Sequence, residues 1–194
     1  MLALTSHNIV IISPYFVPRE SGTAKLIELA KQGLSITILT NSLAATDVVA
    51  VHSGYAPYRK ALLAAGIRLF EMKVSPDATP KTWQGSSQAS LQAKSILFDE
   101  HTIFVGSFNL DPRSVYLNTE MGMLFNNPHF VTSVKQSLQS VLESNCYQVK
   151  LDNQNELYWF DAKTQTTYYS EPDASIWRKI GAWFFELLPI EEQL

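Results

Sequence analysis

Gln92-Ala93-Lys94, Asp99 and Gly106-Ser107-Phe108-Asn109 bring an amide, an ammonium, a carboxylate, a hydroxyl and a second amide into one short stretch. Transfer or cleavage of a phosphodiester asks for such a set: positive donors around the phosphate oxygens, a nucleophile in line, and an acid for the leaving alkoxide. Lys94 and Asn109 supply donors, and neither role calls for a metal. Gln92 is the weak member. Its amide donates and accepts hydrogen bonds, but at neutral pH it neither takes up a proton nor forms a stable phosphoryl adduct.

A hairpin must position these groups. Residues 91–98 and 102–109 read as two strands separated by Asp99-Glu100-His101. Alternate side chains of a strand share a face, so Gln92 points with Lys94, and Ser107 with Asn109. For the two pairs to meet, Lys94 has to stand opposite Ser107 and Gln92 opposite Asn109, with Glu100-His101 at the turn. A slip of one residue turns Lys94 away from both.

Strands and helices alternate around the hairpin. Residues 9–12 read as a buried strand, and 22–32 as a helix with Ala24, Ile27, Leu29 and Ala30 in phase and Gly33 closing it. A strand at 34–39, a helix at 53–65 stopped by Gly66, and a strand at 67–71 complete a pattern that predicts a parallel sheet with covering helices. Ser75–Ser90 reads as an exposed loop, 120–125 as a further strand, and 131–142 as a helix with Val134, Leu138, Val141 and Leu142 on one face. Residues 147–169 suggest a small antiparallel excursion appended to the main sheet. The run 175–189 is helical, with apolar residues at 176, 177, 180, 183, 184, 187 and 188.

The expectation is one α/β unit over 1–194: a mixed, largely parallel sheet flanked by helices on both faces, an α-β-α sandwich. Its core spans about 8–145, a β appendage about 146–172, and an amphipathic helix about 174–188. A chain of 194 residues, 46% hydrophobic and 17% charged, is sized for one core that buries roughly 70% of the unfolded surface. A net charge of -3 argues against a broad footprint for duplex nucleic acid, while allowing a local basic pocket. Cys146 is the single cysteine, which excludes an internal disulfide or a cysteine-based zinc cluster and fits a reducing compartment. Met1–Ser6 lacks a basic n-region, and the apolar run at 9–12 is too short for a signal core or a membrane span, so no transmembrane segment is expected. The opening directly into a strand is what a domain cut from a longer polypeptide would look like.

The motif resembles the phospholipase D signature, histidine-x-lysine-x4-aspartate-x6-glycine-serine-x-asparagine, with Gln92 at the histidine position. Asn109-Leu-Asp-Pro-Arg-Ser114 and Leu117-Asn-Thr-Glu-Met-Gly122 are similar to bacterial cardiolipin synthases of the C type. So are Ser13-Pro-Tyr-Phe16, residues 39–47, His52-Ser-Gly-Tyr-Ala-Pro-Tyr-Arg59 and the ending 188–194. Nearly the whole chain is covered, and the match is to the second half of such enzymes.

That resemblance implies a phospholipase D-like lobe whose active site is completed by a second motif. One motif histidine would form a phospho-enzyme and the other would serve as acid and base. Lys94 and Asn109 would bind phosphate, Ser107 would support them, Glu120 would orient the residue at 92, and Asp99 would be structural, within a salt bridge. The implied substrates are phospholipids such as phosphatidylglycerol, handled without a cofactor at the cytoplasmic side of the bacterial inner membrane by a peripheral protein. The implied partner is a missing N-terminal lobe or a second copy. Whether Gln92 replaces an original histidine or belongs to a naturally degenerate lobe is left open. Three readings follow: a phosphatidyltransferase lobe impaired by Gln92, a non-catalytic phosphate-binding lobe that completes a partner's site, and a dimeric single-motif phosphodiesterase or nuclease.

Two further groups carry alternatives. His52, Tyr55, Tyr58 and Arg59 fall at helical spacing, either as a helix surface packed on the sheet or as part of the substrate mouth. The terminal stripe with Trp177, Trp183 and Phe184 reads as core, as lobe interface, or as a membrane contact aided by Arg178 and Lys179.

Overall fold

Apolar runs rich in β-branched residues make the centre of the fold. In the computed structural model, which describes residues 7–74 and 91–186, Asn8–Ile12 (β1), Ser35–Asn41 (β2) and Arg68–Met72 (β3) pair in parallel. Three strands continue the sheet antiparallel from β1: Ser95–Phe98 (β4), Thr102–Gly106 (β5) and Gly122–Asn126 (β6). Three more continue it antiparallel from β3: Cys146–Leu151 (β7), Leu157–Asp161 (β8) and Thr166–Tyr168 (β9). The order is β6-β5-β4-β1-β2-β3-β7-β8-β9, parallel at the centre and antiparallel toward both edges.

Side-chain alternation supplies both faces of the sandwich. On one face, Arg19–Lys31 (α1), Val49–Tyr55 (α2) and Arg59–Ala64 (α3) bring Leu26, Leu29, Tyr55 and Leu62 onto Ile9, Ile11, Ile36, Ile38 and Leu69. The short helix Pro112–Tyr116 (α4) follows β5, its first turn capped by Asp111 accepting from the Ser114 N–H at 2.7 Å. On the second face, Pro128–Asn145 (α5) sets Val131 and Leu142 against Ile12, Leu39, Leu97 and Ile103. Each such side chain, fully buried, contributes about 1.5–3 kcal/mol. The last helix is Ile176–Glu186 (α6).

Local chemistry explains where the elements depart from the periodicity. The helix expected at 53–65 starts at Val49 and is interrupted by a 3₁₀ turn at Ala56–Tyr58, because Pro57 has no N–H for a helical bond. The β excursion after residue 145 is part of the core: Tyr147, Val149 and Trp159 join the cluster beneath α1 and α3. The loop expected at 75–90 and the stripe residues at 187 and 188 lie outside the described residues.

The hairpin register is not the one the motif spacing suggested. Ser95 faces Val105 and Phe98 faces Thr102, and the Gly106 N–H reaches the Lys94 carbonyl at 3.2 Å, so Lys94 aligns with Gly106 and not with Ser107. The cause is at the turn. Asp99 adopts φ 51°, a left-handed conformation that aspartate tolerates. Its N–H bonds to the Asn8 carbonyl at 2.9 Å, while its carboxylate accepts the His7 and Asn8 N–H groups at 2.9 and 2.8 Å. Anchored to the start of β1, Asp99 becomes a third turn residue, and the pairing moves by one.

Candidate active site

Topology brings the motif to one end of the sheet. β4 runs antiparallel to β1, so its entry at residues 91–94 lies beside the exit of β1, where β5 also ends and β6 begins. Three hydrogen bonds lock these segments together. Leu110 N–H donates to Ser13 Oγ at 3.3 Å, Val17 N–H donates to the Leu110 carbonyl at 2.7 Å, and Leu91 N–H donates to Oδ1 of the buried Asn41 at 2.9 Å. The loop after β2 joins them through Tyr15, whose hydroxyl donates to Asp47 at 2.9 Å. Burial and this bond push the Tyr15 phenol up to about 12.

At this end the chain leaves the strand after Gly106, so strand parity no longer governs Ser107 and Asn109. The Ser107 hydroxyl donates to the Glu120 carboxylate and accepts the Met121 N–H at 3.0 Å. The Asn118 amide donates to the other Glu120 oxygen at 3.3 Å. The Ser107 bond, foremost, holds Glu120 below its usual range, helped by Asn118, Ser114 and the charge of Lys94. The charge of Lys94 is thus felt at Glu120, and its Nζ approaches the Gln92 carbonyl at 3.5 Å. Asn109 is held through its N–H on Ser114 Oγ at 3.3 Å, and its Oδ1 is buried without a hydrogen-bond partner among the described residues. Thr23, Thr37, Tyr55 and Glu171 also carry a buried polar atom without a partner among the described residues, so it is the place of Asn109 in the motif that sets its oxygen apart.

The motif glycine has a steric reason. A Cβ at Gly122, which faces Gly106 across the ladder, would lie 2.2 Å from the Phe104 ring, and one at Gly106 would lie 2.5 Å from the Met121 carbonyl. Only glycine lets β5 and β6 close on each other here and hold Glu120 over Ser107. Beside the site, all five residues of β6 are exposed, as are Tyr116, Leu117 and Met121, an open apolar flank.

Three of the four residues considered for a substrate mouth, His52, Tyr55 and Arg59, are built into a buried charged cluster. Arg59 Nη1 donates to Glu171 at 2.7 Å and to Glu71 at 3.2 Å, and His52 Nε2 lies 3.3 Å from Glu171. Trp159 Nε1 donates to the other Glu71 oxygen at 2.8 Å. The guanidinium stacks 5.5 Å from the Tyr55 ring centre and 5.2 Å from that of Trp159. Burial and the Glu171 charge push Glu71 up. Burial also raises Glu171, but Arg59 and His52 outweigh it and hold that carboxyl down to about 2. Tyr58 is half-buried against the core. The bonds of His52 and Arg59 thus run into this cluster, and the packing reading of the helix fits its buried side chains. Glu71 was visible as a charge inside an apolar strand, whereas Glu171, Trp159 and Asn41 carried no comparable signal.

Comparison with known proteins gives the family and the fold. A family profile described as cardiolipin synthase, PLD-like domain, matches residues 1–142. The chain is 40% identical over 193 residues to cardiolipin synthase C of Escherichia coli K12, covering 96% of itself and 41% of that protein. It is 27% identical over 149 residues to cardiolipin synthase B of the same strain, covering 77% of itself and 32% of that protein. It therefore spans less than half the length of either relative. In fold it resembles Nuc, a phospholipase D family member from Salmonella typhimurium, with a TM-score of 0.58 at 17% identity over 77% of this chain and 89% of that one. It also resembles phosphatidylserine synthase of Haemophilus influenzae, with a TM-score of 0.60 at 15% identity over 98% of this chain and 42% of that one.

Proposed function

The chain belongs to the cardiolipin synthase family of phospholipase D-like domains, and from that premise we propose that it is the carboxyl-terminal lobe of a phosphatidyltransferase that makes cardiolipin from phospholipids. The observation that carries the reading is the cluster at the sheet end. Ser107 bonds Glu120 there, the charge of Lys94 acts on that carboxylate, and Asn109, held on Ser114, has unused hydrogen-bonding capacity. In this reading Lys94 and the Asn109 amide bind the phosphate oxygens, Ser107 and Glu120 hold the cradle, and residue 92 faces the phosphorus.

Gln92 removes the proton carrier. Loss of a general acid or base lowers rates by about 10²–10⁴, and loss of a nucleophile from a coupled set by on the order of 10⁶. The isolated chain is accordingly expected to bind a phosphodiester and turn it over poorly. The exposed β6 flank beside the motif supports a second lobe, or a second copy, docking there to supply the other motif. The second reading, a non-catalytic lobe that completes a partner's site, is favoured by Gln92 itself.

The deciding experiment is Gln92→His, assayed with the missing half on phosphatidylglycerol vesicles. A gain of at least about 100-fold in phosphatidyl transfer is expected. Equal rates for glutamine and histidine would sink the catalytic reading and leave the binding lobe.

A further inference from the structure

A surface helix ordinarily turns its large apolar side chains inward. α6 does the reverse. Its inner side is lightly packed: Ala182 is buried, a Cβ on Gly181 would touch Val49 of α2 at 3.8 Å, and Phe185 is half-buried. Its outer side carries Ile176, Trp177, Ile180, Trp183 and Phe184, each 50–82% exposed. Their spacing places them on one stripe.

The mounting of the helix is specific. Arg178 Nη1 donates to the carbonyls of Leu43 and Thr46 at 2.7 and 2.8 Å, clamping α6 onto the loop after β2. That loop also reaches the motif end, through Asp47 to Tyr15 and, at its start, through Asn41 to Leu91. The stripe and the phosphate site are thus tied to the same end of the sheet.

We propose that α6 is an interfacial helix that lies in the surface of an anionic phospholipid bilayer, with Trp177 and Trp183 at the boundary between headgroups and acyl chains, and so presents the motif to lipid. The inference rests on the phosphatidyltransferase reading and adds to it the surface by which a lipid-borne substrate is reached. Two observations select a bilayer over the absent lobe. A lobe that completes the motif has its own exposed surface at β6, at one edge of the sheet, whereas α6 packs on α2 and borders β8 on the other side of the strand order. The stripe also has the chemistry of an interface: indoles with an apolar body and a polar N–H, aliphatic neighbours, and Lys179 on the same helix. Among the described residues no helix is long and apolar enough to cross a membrane, so contact through the described helices has to be made from the surface.

The test uses the full chain with vesicles of phosphatidylcholine alone or mixed with phosphatidylglycerol. Sedimentation with the mixed vesicles is expected, and the double variant Trp177→Ser/Trp183→Ser should bind at least about tenfold more weakly. Brominated lipids should quench the tryptophan fluorescence of the unaltered chain, a measurement that needs no variant. Absence of both sedimentation and quenching overturns the proposal. So does self-association in light scattering that the double variant abolishes while vesicles are ignored, which would assign the stripe to protein. Vesicle binding that persists when Gln92→His restores no transfer would remove the enzymatic reading and keep the helix.

Discussion

The motif end of the sheet and the Arg59 cluster contain the same kinds of residue, yet they are built in opposite ways. At the motif, the cation, the amides and Glu120 stand partly open, joined by a few hydrogen bonds, and the Asn109 oxygen is left without a partner. Around Arg59, two carboxylates, a histidine and an indole surround one buried guanidinium. The first arrangement leaves an amide oxygen over at the open end of the sheet. The second turns most of its capacity on itself, with Glu171 Oε2 and the Tyr55 hydroxyl left over inside it, and a buried charge of that kind is tolerated only while its partners remain.

The contrast is sharpest in stability. Arg59→Met should destabilise the chain by about 3–5 kcal/mol in urea unfolding, since it leaves Glu71 and Glu171 buried without their cation; a change below about 1 kcal/mol would show that the cluster is not what holds α3 to β3 and β8. Acid should act on the same place. Glu171 titrates lower in the folded chain, about 2, than its unfolded value of roughly 4.3. Its contribution is therefore complete above the unfolded value and fades as pH falls toward about 2. Glu171→Gln should flatten the decline in stability over that window, and an unchanged slope would remove Glu171 from the account.

Gly122→Ala forces a methyl onto the Phe104 ring and should cost about 1–3 kcal/mol, together with a weakened Ser107–Glu120 contact. Lys94→Ala is the mirror image of Arg59→Met: stability should stay within about 0.5 kcal/mol while calorimetry shows loss of phosphate-analogue binding. Intact binding would undo the assignment of Lys94 to the phosphate.

How far the sequence could be read follows the same division. The motif was legible because its residue types and spacing lie within one hairpin, and the strands and helices were legible because their periods of 2 and 3.6 are local properties. The register was not. It turns on Asp99 bonding to His7 and Asn8, 92 and 91 positions away, and no local pattern encodes that. His52, Tyr55 and Arg59 were visible as a helical group, but their use was hidden because Glu171 lies 112 residues from Arg59.

Sequence alone therefore determined the chemistry available to this protein: a lysine, a serine, an asparagine and a glutamate in a phosphodiester motif, with an amide where a proton carrier is needed. Tertiary structure decided which charged groups are buried against one another and which stand partly exposed at the sheet end, and it decided that α6 turns its tryptophans outward. Periodicity shows that a helix has an apolar stripe, but the side it presents depends on what packs beneath it, and here Gly181, Ala182 and the half-buried Phe185 take the inner side, with Gly181 against Val49 of α2.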